Sequence, residues 1–307
     1  MRSSFKAYIA MSFAMFTVGS SIVVGKWVTL VFPVFLASLL RFGLASVLLF
    51  LILLFKEGIP RVTGREVLLL LLQSLTGIFL FNICLLIGLK WAPAVEGGII
   101  TSTTPLVISV LSVILFKDKI PARAWSGVLL AVIGIAIIRL LEAPGSSAEP
   151  EGFSWQGYAL LSVAVVSEAL FTLIGKRLSS TLSPLAITTY VTILGFVLFL
   201  PVGLYQAAIY DFSIPAARDW LSLVYLAVVV TVIGFVLWYY GVSAVPTSTS
   251  ASFTGLIAVS SLVLSSLLLH EPMGWNHLLG MVIVMGAIIL SARPGRQSTL
   301  ADRSSGL

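Results

Sequence analysis

The stretch LKWAPAVEGGIITSTTPLVISVLSVILFKDKI, residues 89–120, decides the fold class. Between Pro93 and Phe116 it carries a single charge, Glu96, and Lys90, Lys117 and Lys119 stand just outside that run. A helix that crosses the hydrocarbon of a bilayer needs about 20 predominantly apolar residues, and this run supplies them. It is too long for a strand and lacks the alternation of an outer-membrane barrel. Its polar content, Thr101, Ser102, Thr103 and Thr104 followed by Pro105, sits mid-run, where a lipid-facing helix would carry nothing of the kind.

The same pattern recurs along the chain. Apolar segments cover 7–25, 32–55, 67–89, 93–116, 122–141, 155–175, 182–207, 219–241, 245–269 and 274–292. The 307 residues are 59% hydrophobic and 10% charged, with a mean hydropathy of +1.10. Soluble domains sit near 45–50% apolar and about 25% charged. The expectation is an all-α polytopic membrane protein of ten transmembrane helices. The formal net charge of +6 then belongs to loops facing the cytoplasm, not to a nucleic-acid partner. With a cytoplasmic N-terminus, thirteen of the 18 Lys and Arg fall inside and four outside, leaving Arg41 within a helix. Both termini are therefore expected in the cytoplasm. Trp27, Trp91, Trp155, Trp220 and Trp275 fall at the outer boundaries, as an interfacial belt would place them.

The acidic loop EAPGSSAEPEGFS, residues 142–154, divides the ten segments into two groups of five. An odd number per half puts related halves in opposite orientations. Residues 88–131 laid on 241–284 give eight identities without a gap, among them Gly88/Gly241, Pro93/Pro246, Thr101/Thr254 and Gly127/Gly280. The expected plan is a first repeat in 1–144, an extracytoplasmic linker in 145–154, a second repeat in 155–292 and a cytoplasmic tail in 293–307. Inverted repeats mark alternating-access transporters with a site near the midplane.

The runs PVFLASLLRFGLASVLLF (33–50), residues 89–120 and WSGVLLAVIGIAII (125–138) resemble the EamA-type repeat of the drug/metabolite transporter superfamily. The shared features are Arg41 in the second helix, Pro105 in a small-residue fourth helix, Asp118 after it, and Gly127 with Gly134 in the fifth. The second half departs at two points, with Thr192 near the position of Arg41 and Ala258 at that of Pro105. The chain looks most like the bacterial amino-acid exporters of that superfamily. The resemblance implies a basket of helices in the inner membrane, with helices 1, 3, 4, 6, 8 and 9 around a central cavity, exporting small molecules from the cytoplasm; a monomer is expected.

Ionisable groups at membrane depth are costly and stand as functional candidates. Arg41 lies roughly 15 Å into its helix at about 1.5 Å per residue, and Glu168 is also near the midplane. Glu168 reads as a proton carrier or a counter-charge for a substrate ammonium, or else as a structural partner of Arg41. Arg41 reads chiefly as part of the packing plan. Glu96 stands near an outer helix end, as a gate or a solvated terminus. Pro105 frees the carbonyl of Thr101, which neighbouring hydroxyls can satisfy or which, with Thr101 and Ser102, can bind an ammonium. Ser248, Thr249, Ser250, Ser252 and Thr254 offer the counterpart in the ninth segment, unless these small residues only permit close packing. Asn82 needs a partner in an apolar helix. With Phe79, one turn from it, and Phe81, Trp238, Tyr239 and Tyr240, it suits a cavity for an apolar amino-acid side chain. The alternative for Trp238, Tyr239 and Tyr240 is an inner aromatic belt.

No nucleotide-binding loop or hydrolase motif occurs, so no cofactor, metal or enzymatic activity is expected. His270 and His277 lack a third ligand, and Cys84 is the only cysteine. Two other functions fit the same composition. One is a multidrug exporter of lipophilic cations with Glu168 as the proton/drug exchange site. The other is a receptor or scaffold, for which the tail 293–307 would be the binding segment.

Overall fold

A computed structural model describes residues 2–101, 103–116, 130, 133, 155–244, 253, 255–270 and 274–292. Within them the chain is helical. Among the described residues six helices are long and apolar enough to cross a membrane: Lys6–Val31, Val34–Lys56, Gly64–Trp91, Trp155–Leu178, Pro184–Ile209 and Ala217–Gly241. The protein is a polytopic helical membrane protein.

The elements are α1 (Arg2–Val31), α2 (Val34–Lys56) and α3 (Gly64–Trp91). The fourth segment is two helices, α4 (Ala94–Thr101) and α5 (Thr104–Phe116). The expected fifth segment, 122–141, lies outside the described residues except 130 and 133, as do Asp118, Gly127, Gly134 and the loop 142–154. There follow α6 (Trp155–Leu178), α7 (Pro184–Ile209) and α8, which runs through Ala217–Tyr225, Leu226–Gly234 and Phe235–Ala244. Next come α9 (Gly255–Leu264, continued by Ser265–Leu269) and α10 (Trp275–Ala292).

Prolines set several boundaries. Pro33 caps α2 in an extended conformation, and Pro184 opens α7, whose Ser183 hydroxyl accepts from the Ala186 amide at 3.1 Å. Pro suits a first turn because the amide it lacks has no partner there. Pro105 likewise falls in the first turn of α5, so the fourth segment breaks instead of bending. The first segment, expected over 7–25, extends through Arg2–Val31, because its polar Ser20, Ser21 and Lys26 find partners and do not end it. Ser20 and Ser21 donate back to Thr17 and Val18 carbonyls, and Lys26 Nζ reaches the Ala92 carbonyl at 3.2 Å.

Among the described residues three helices contain π turns. Ser74–Leu80 in α3, Leu226–Gly234 in α8 and Ser265–Leu269 in α9 are wound with the wider i→i+5 bonding. Such turns are rare and concentrate at functional sites.

Without a hydrophobic drive between helices in lipid, association rests on close van der Waals packing at small residues. Gly88 of α3 and Gly157 of α6 show it: a Cβ on Gly88 would lie 3.1 Å from the Gly157 carbonyl oxygen. An aromatic layer of Phe35, Phe42, Phe79 and Phe199 joins α2, α3 and α7, with Phe42 stacked on Phe199 at 5.7 Å between centroids. Leu30, Phe55, Ile209 and Val282 present apolar surface outward, and Trp155 and Trp275 are exposed at helix starts.

Candidate functional site

A cavity lies between α1, α2, α3, α5, α6 and α8. Met15 and Ser21 face it from α1, Arg41 from α2, Phe81 and Asn82 from α3, and Thr104 from α5. Glu168, Phe171 and Thr172 face it from α6, and Gly234, Phe235 and Trp238 from α8. No described residue of α9 lines it, the expected ninth-helix candidates 248–250, 252 and 254 lying outside the described residues, and α2 enters through Arg41.

Arg41 is held from two other helices. Its Nε donates to Thr231 Oγ1 at 3.0 Å and its Nη1 to Asn82 Oδ1 at 3.2 Å. The guanidinium carbon lies 5.0 Å from the Phe42 ring centre, a distance at which the ring's negative face attracts a cation. Thr231 can accept because its own proton goes to the Leu226 carbonyl at 2.9 Å, five residues back across the π turn. Asn82 in turn donates to the Ile78 carbonyl at 2.7 Å. The buried amide expected to need a partner has two, and one of them is the Arg41 guanidinium.

Glu168 does not pair with Arg41. Its Oε2 accepts from Thr104 Oγ1 at 2.8 Å, while the guanidinium is committed to Thr231 and Asn82. The same Thr104 hydroxyl lies 2.7 Å from the Thr101 carbonyl oxygen that Pro105 frees. A hydroxyl has one proton to donate, so an ionised Glu168 and the broken helix end compete for it. A protonated Glu168 donates to Thr104 instead and leaves the Thr104 proton for Thr101. The protonation state of Glu168 is thereby tied to the break between α4 and α5.

The remaining sequence candidates divide. Trp238 lines the cavity. Phe79 does not: it sits in the α2–α7 aromatic layer, 4.9 Å from Phe199, whereas Phe81 of the same expected set lines the cavity. Thr101 is buried against its own helix, donating to the Gly97 and Gly98 carbonyls at 2.8 and 3.1 Å, and Thr104 faces the cavity. Glu96 is only 2% exposed and accepts from the Tyr158 hydroxyl, so the solvated terminus is not what the fold builds. Ser102, Ser248, Thr249, Ser250, Ser252 and Thr254 lie outside the described residues. Trp238, Tyr239 and Tyr240 are not one belt: they face the cavity, the core and the exterior in turn.

Tyr239 points into the core and not the cavity. Its hydroxyl accepts from Gln73 Nε2 at 2.7 Å, and Nε2 also donates to the Phe171 carbonyl at 3.3 Å. Gln73 is fully buried, and its Oε1 has no hydrogen-bond partner among the described residues. Such an unmade bond costs about 1–3 kcal/mol relative to a hydrated acceptor. Gln73, Thr231 and Tyr158 were not among the sequence candidates, and only Gln73, a lone amide in a leucine run, carried a signal comparable to that of Asn82.

Comparison with known proteins accords with this architecture. The EamA-like transporter family profile matches residues 5–140 and again 155–293. The uncharacterized transporter YetK of Bacillus subtilis is 44% identical over 292 residues, covering 95% of this chain and 88% of that protein. YyaM of the same organism, also an uncharacterized transporter, is 26% identical with 92% of each chain covered. A probable terminal-alkyne amino-acid exporter of Streptantibioticus cattleyicolor is 25% identical over 83% of each chain. A solved crystal structure superposes with a TM-score of 0.66 at 18% identity, covering 97% of this chain and 98% of that one, and supports the fold. Matched in both halves by one family profile, the chain belongs to the EamA-like transporter family.

Proposed function

We propose that this membrane transporter exports amino acids or closely related small zwitterionic metabolites across the bacterial inner membrane by alternating access, as a monomer with both termini in the cytoplasm. The observation that carries this is one cavity holding a cation and a carboxylate that do not pair with each other. Arg41, oriented by Asn82 and Thr231, is aimed at a substrate carboxylate, and Glu168 at the ammonium. Phe81, Phe171, Phe235 and Trp238 offer an apolar wall for the side chain. A charged cavity of this kind is costly to keep in a membrane unless a ligand uses it. The name of the Streptantibioticus relative, a probable exporter of an amino acid, supports the same substrate class.

The test is reconstitution in liposomes with a panel of labelled amino acids and a quaternary ammonium dye in parallel. Saturable amino-acid flux, lost in Asn82→Ala and Arg41→Leu, is the expected result. Dye flux without amino-acid flux, abolished by Glu168→Gln, overturns it in favour of a lipophilic-cation exporter.

A further inference from the structure

Gly77, Phe171 and Phe235 line the cavity from α3, α6 and α8. One turn beyond each, at the end of the bundle where α3 begins and α6 and α8 finish, stand Gln73, Gly175 and Tyr239. Four residues of helix cover about 6 Å. We infer that Gln73 and Tyr239 are positioning residues that latch this end of the cavity shut, and that their separation opens it. The inference rests on the alternating-access reading and assigns the end at which one of the two openings occurs.

Three observations support it. The Gln73 side chain bonds to Tyr239 of α8 and to the Phe171 carbonyl of α6, so one amide ties three helices. The approach is built for that amide: a Cβ on Gly175 would lie 2.4 Å from Gln73 Nε2 and 3.1 Å from the Tyr239 hydroxyl. The closed arrangement is also incomplete, because Gln73 Oε1 is buried without a partner among the described residues. A contact that only held helices together would gain by satisfying that atom. Opening does so by admitting water, which offsets part of the cost of breaking the latch. The latch residues also lie near the π turns: Gln73 directly precedes Ser74–Leu80, and Tyr239 stands five residues past the strip that ends at Gly234.

The test replaces the single cysteine, Cys84, by serine and installs Thr172→Cys as a reporter inside the cavity. Labelling with a membrane-impermeant maleimide is followed in inside-out and right-side-out vesicles. Gln73→Leu and Tyr239→Phe are each expected to raise the labelling rate about five- to tenfold, the share of one hydrogen bond, from one face only. That face is the one bearing the start of α3. Tyr239→Phe keeps the ring and removes only the hydroxyl, so it reads the latch even where Gln73→Leu fails to fold. Labelling unchanged from both faces, or raised equally from both, overturns the proposal. The readout needs no cargo, so its failure is separate from any failure of amino-acid transport.

Discussion

Substituting Gly77 by alanine tests the closeness of α3 and α6 beside the cavity. A Cβ there would fall 2.0 Å from Phe171 Cδ2, 2.2 Å from Cγ and 2.5 Å from Cβ. Ordinary carbon contacts are about 3.5–4.0 Å. A change of the Phe171 χ1 rotamer can move Cδ2 and Cγ away, but its Cβ moves only with the α6 backbone, which must withdraw by about 1 Å. Overpacking of this kind costs about 1–3 kcal/mol, offset by up to about 1 kcal/mol from removing a helical glycine. The net expectation is a loss of about 1–2 kcal/mol. Gly64→Ala is the control, since nothing lies within 4 Å of a Cβ there, and it should be neutral or stabilising by about 0.4–1 kcal/mol. Thermal denaturation of both variants in detergent, followed by size-exclusion chromatography, separates them. A Gly77→Ala protein that melts at or above wild type refutes the packing. Since Phe171 and Glu168 share α6, the displacement should also slow transport more than the stability loss alone would.

Three further outcomes follow from the site and its surroundings. Glu168→Gln should keep the fold, because an amide still accepts from Thr104, while flux falls about tenfold or more with loss of the charge and its pH dependence flattens. Flux equal to wild type across the pH range counts against any role for the carboxylate. Asn82→Ala removes a hydrogen bond to a half-buried cation, worth about 1.5–3 kcal/mol, and should weaken apparent substrate affinity in flux assays more than it lowers the melting temperature. The reverse ranking would make Asn82 a packing residue. Outside the membrane, the Ser213 hydroxyl and amide donate to Asp211 Oδ1 at 2.7 and 2.9 Å and hold its carboxyl below its ordinary value. A carboxyl lowered on folding contributes stability that is complete above the unfolded range and lost as the pH falls through the folded value. The melting advantage over Asp211→Asn should therefore close in acid, and an advantage that widens there contradicts the assignment.

The sequence was informative where chemistry stood against its surroundings. Arg41, Asn82 and Glu168 were visible as polar groups in apolar runs, and all three face one cavity. Trp238 was visible as an aromatic but not distinguishable from Tyr239 one position on, because about 100° of rotation per residue decides which of two neighbours faces inward. Phe79 failed for a specific reason. Placing it one turn from Asn82 assumes an α-helical period, and the π stretch Ser74–Leu80 includes Phe79 and changes that period. Thr231 was illegible, since a threonine among valines carries no sign that it meets an arginine 190 residues away. Glu96 misled for the opposite reason: its place near a helix start suggested water, and Tyr158 from the other half covers it.

The wide turns of α3 and α8 also bear on how this chain tolerates changes in length. A π turn accommodates more residues per turn than the α-helix on either side. Losing one residue within 74–80 can be absorbed by tightening that stretch to ordinary α geometry, with the faces before and after it kept in place. The same loss within 81–87 swings every later side chain by about 100° and strips Gly88 from its contact with Gly157. Deletions scanned along α3 should thus be survivable in one window and ruinous just beyond it. The boundary between the two falls at Phe81, one residue before the amide that orients Arg41.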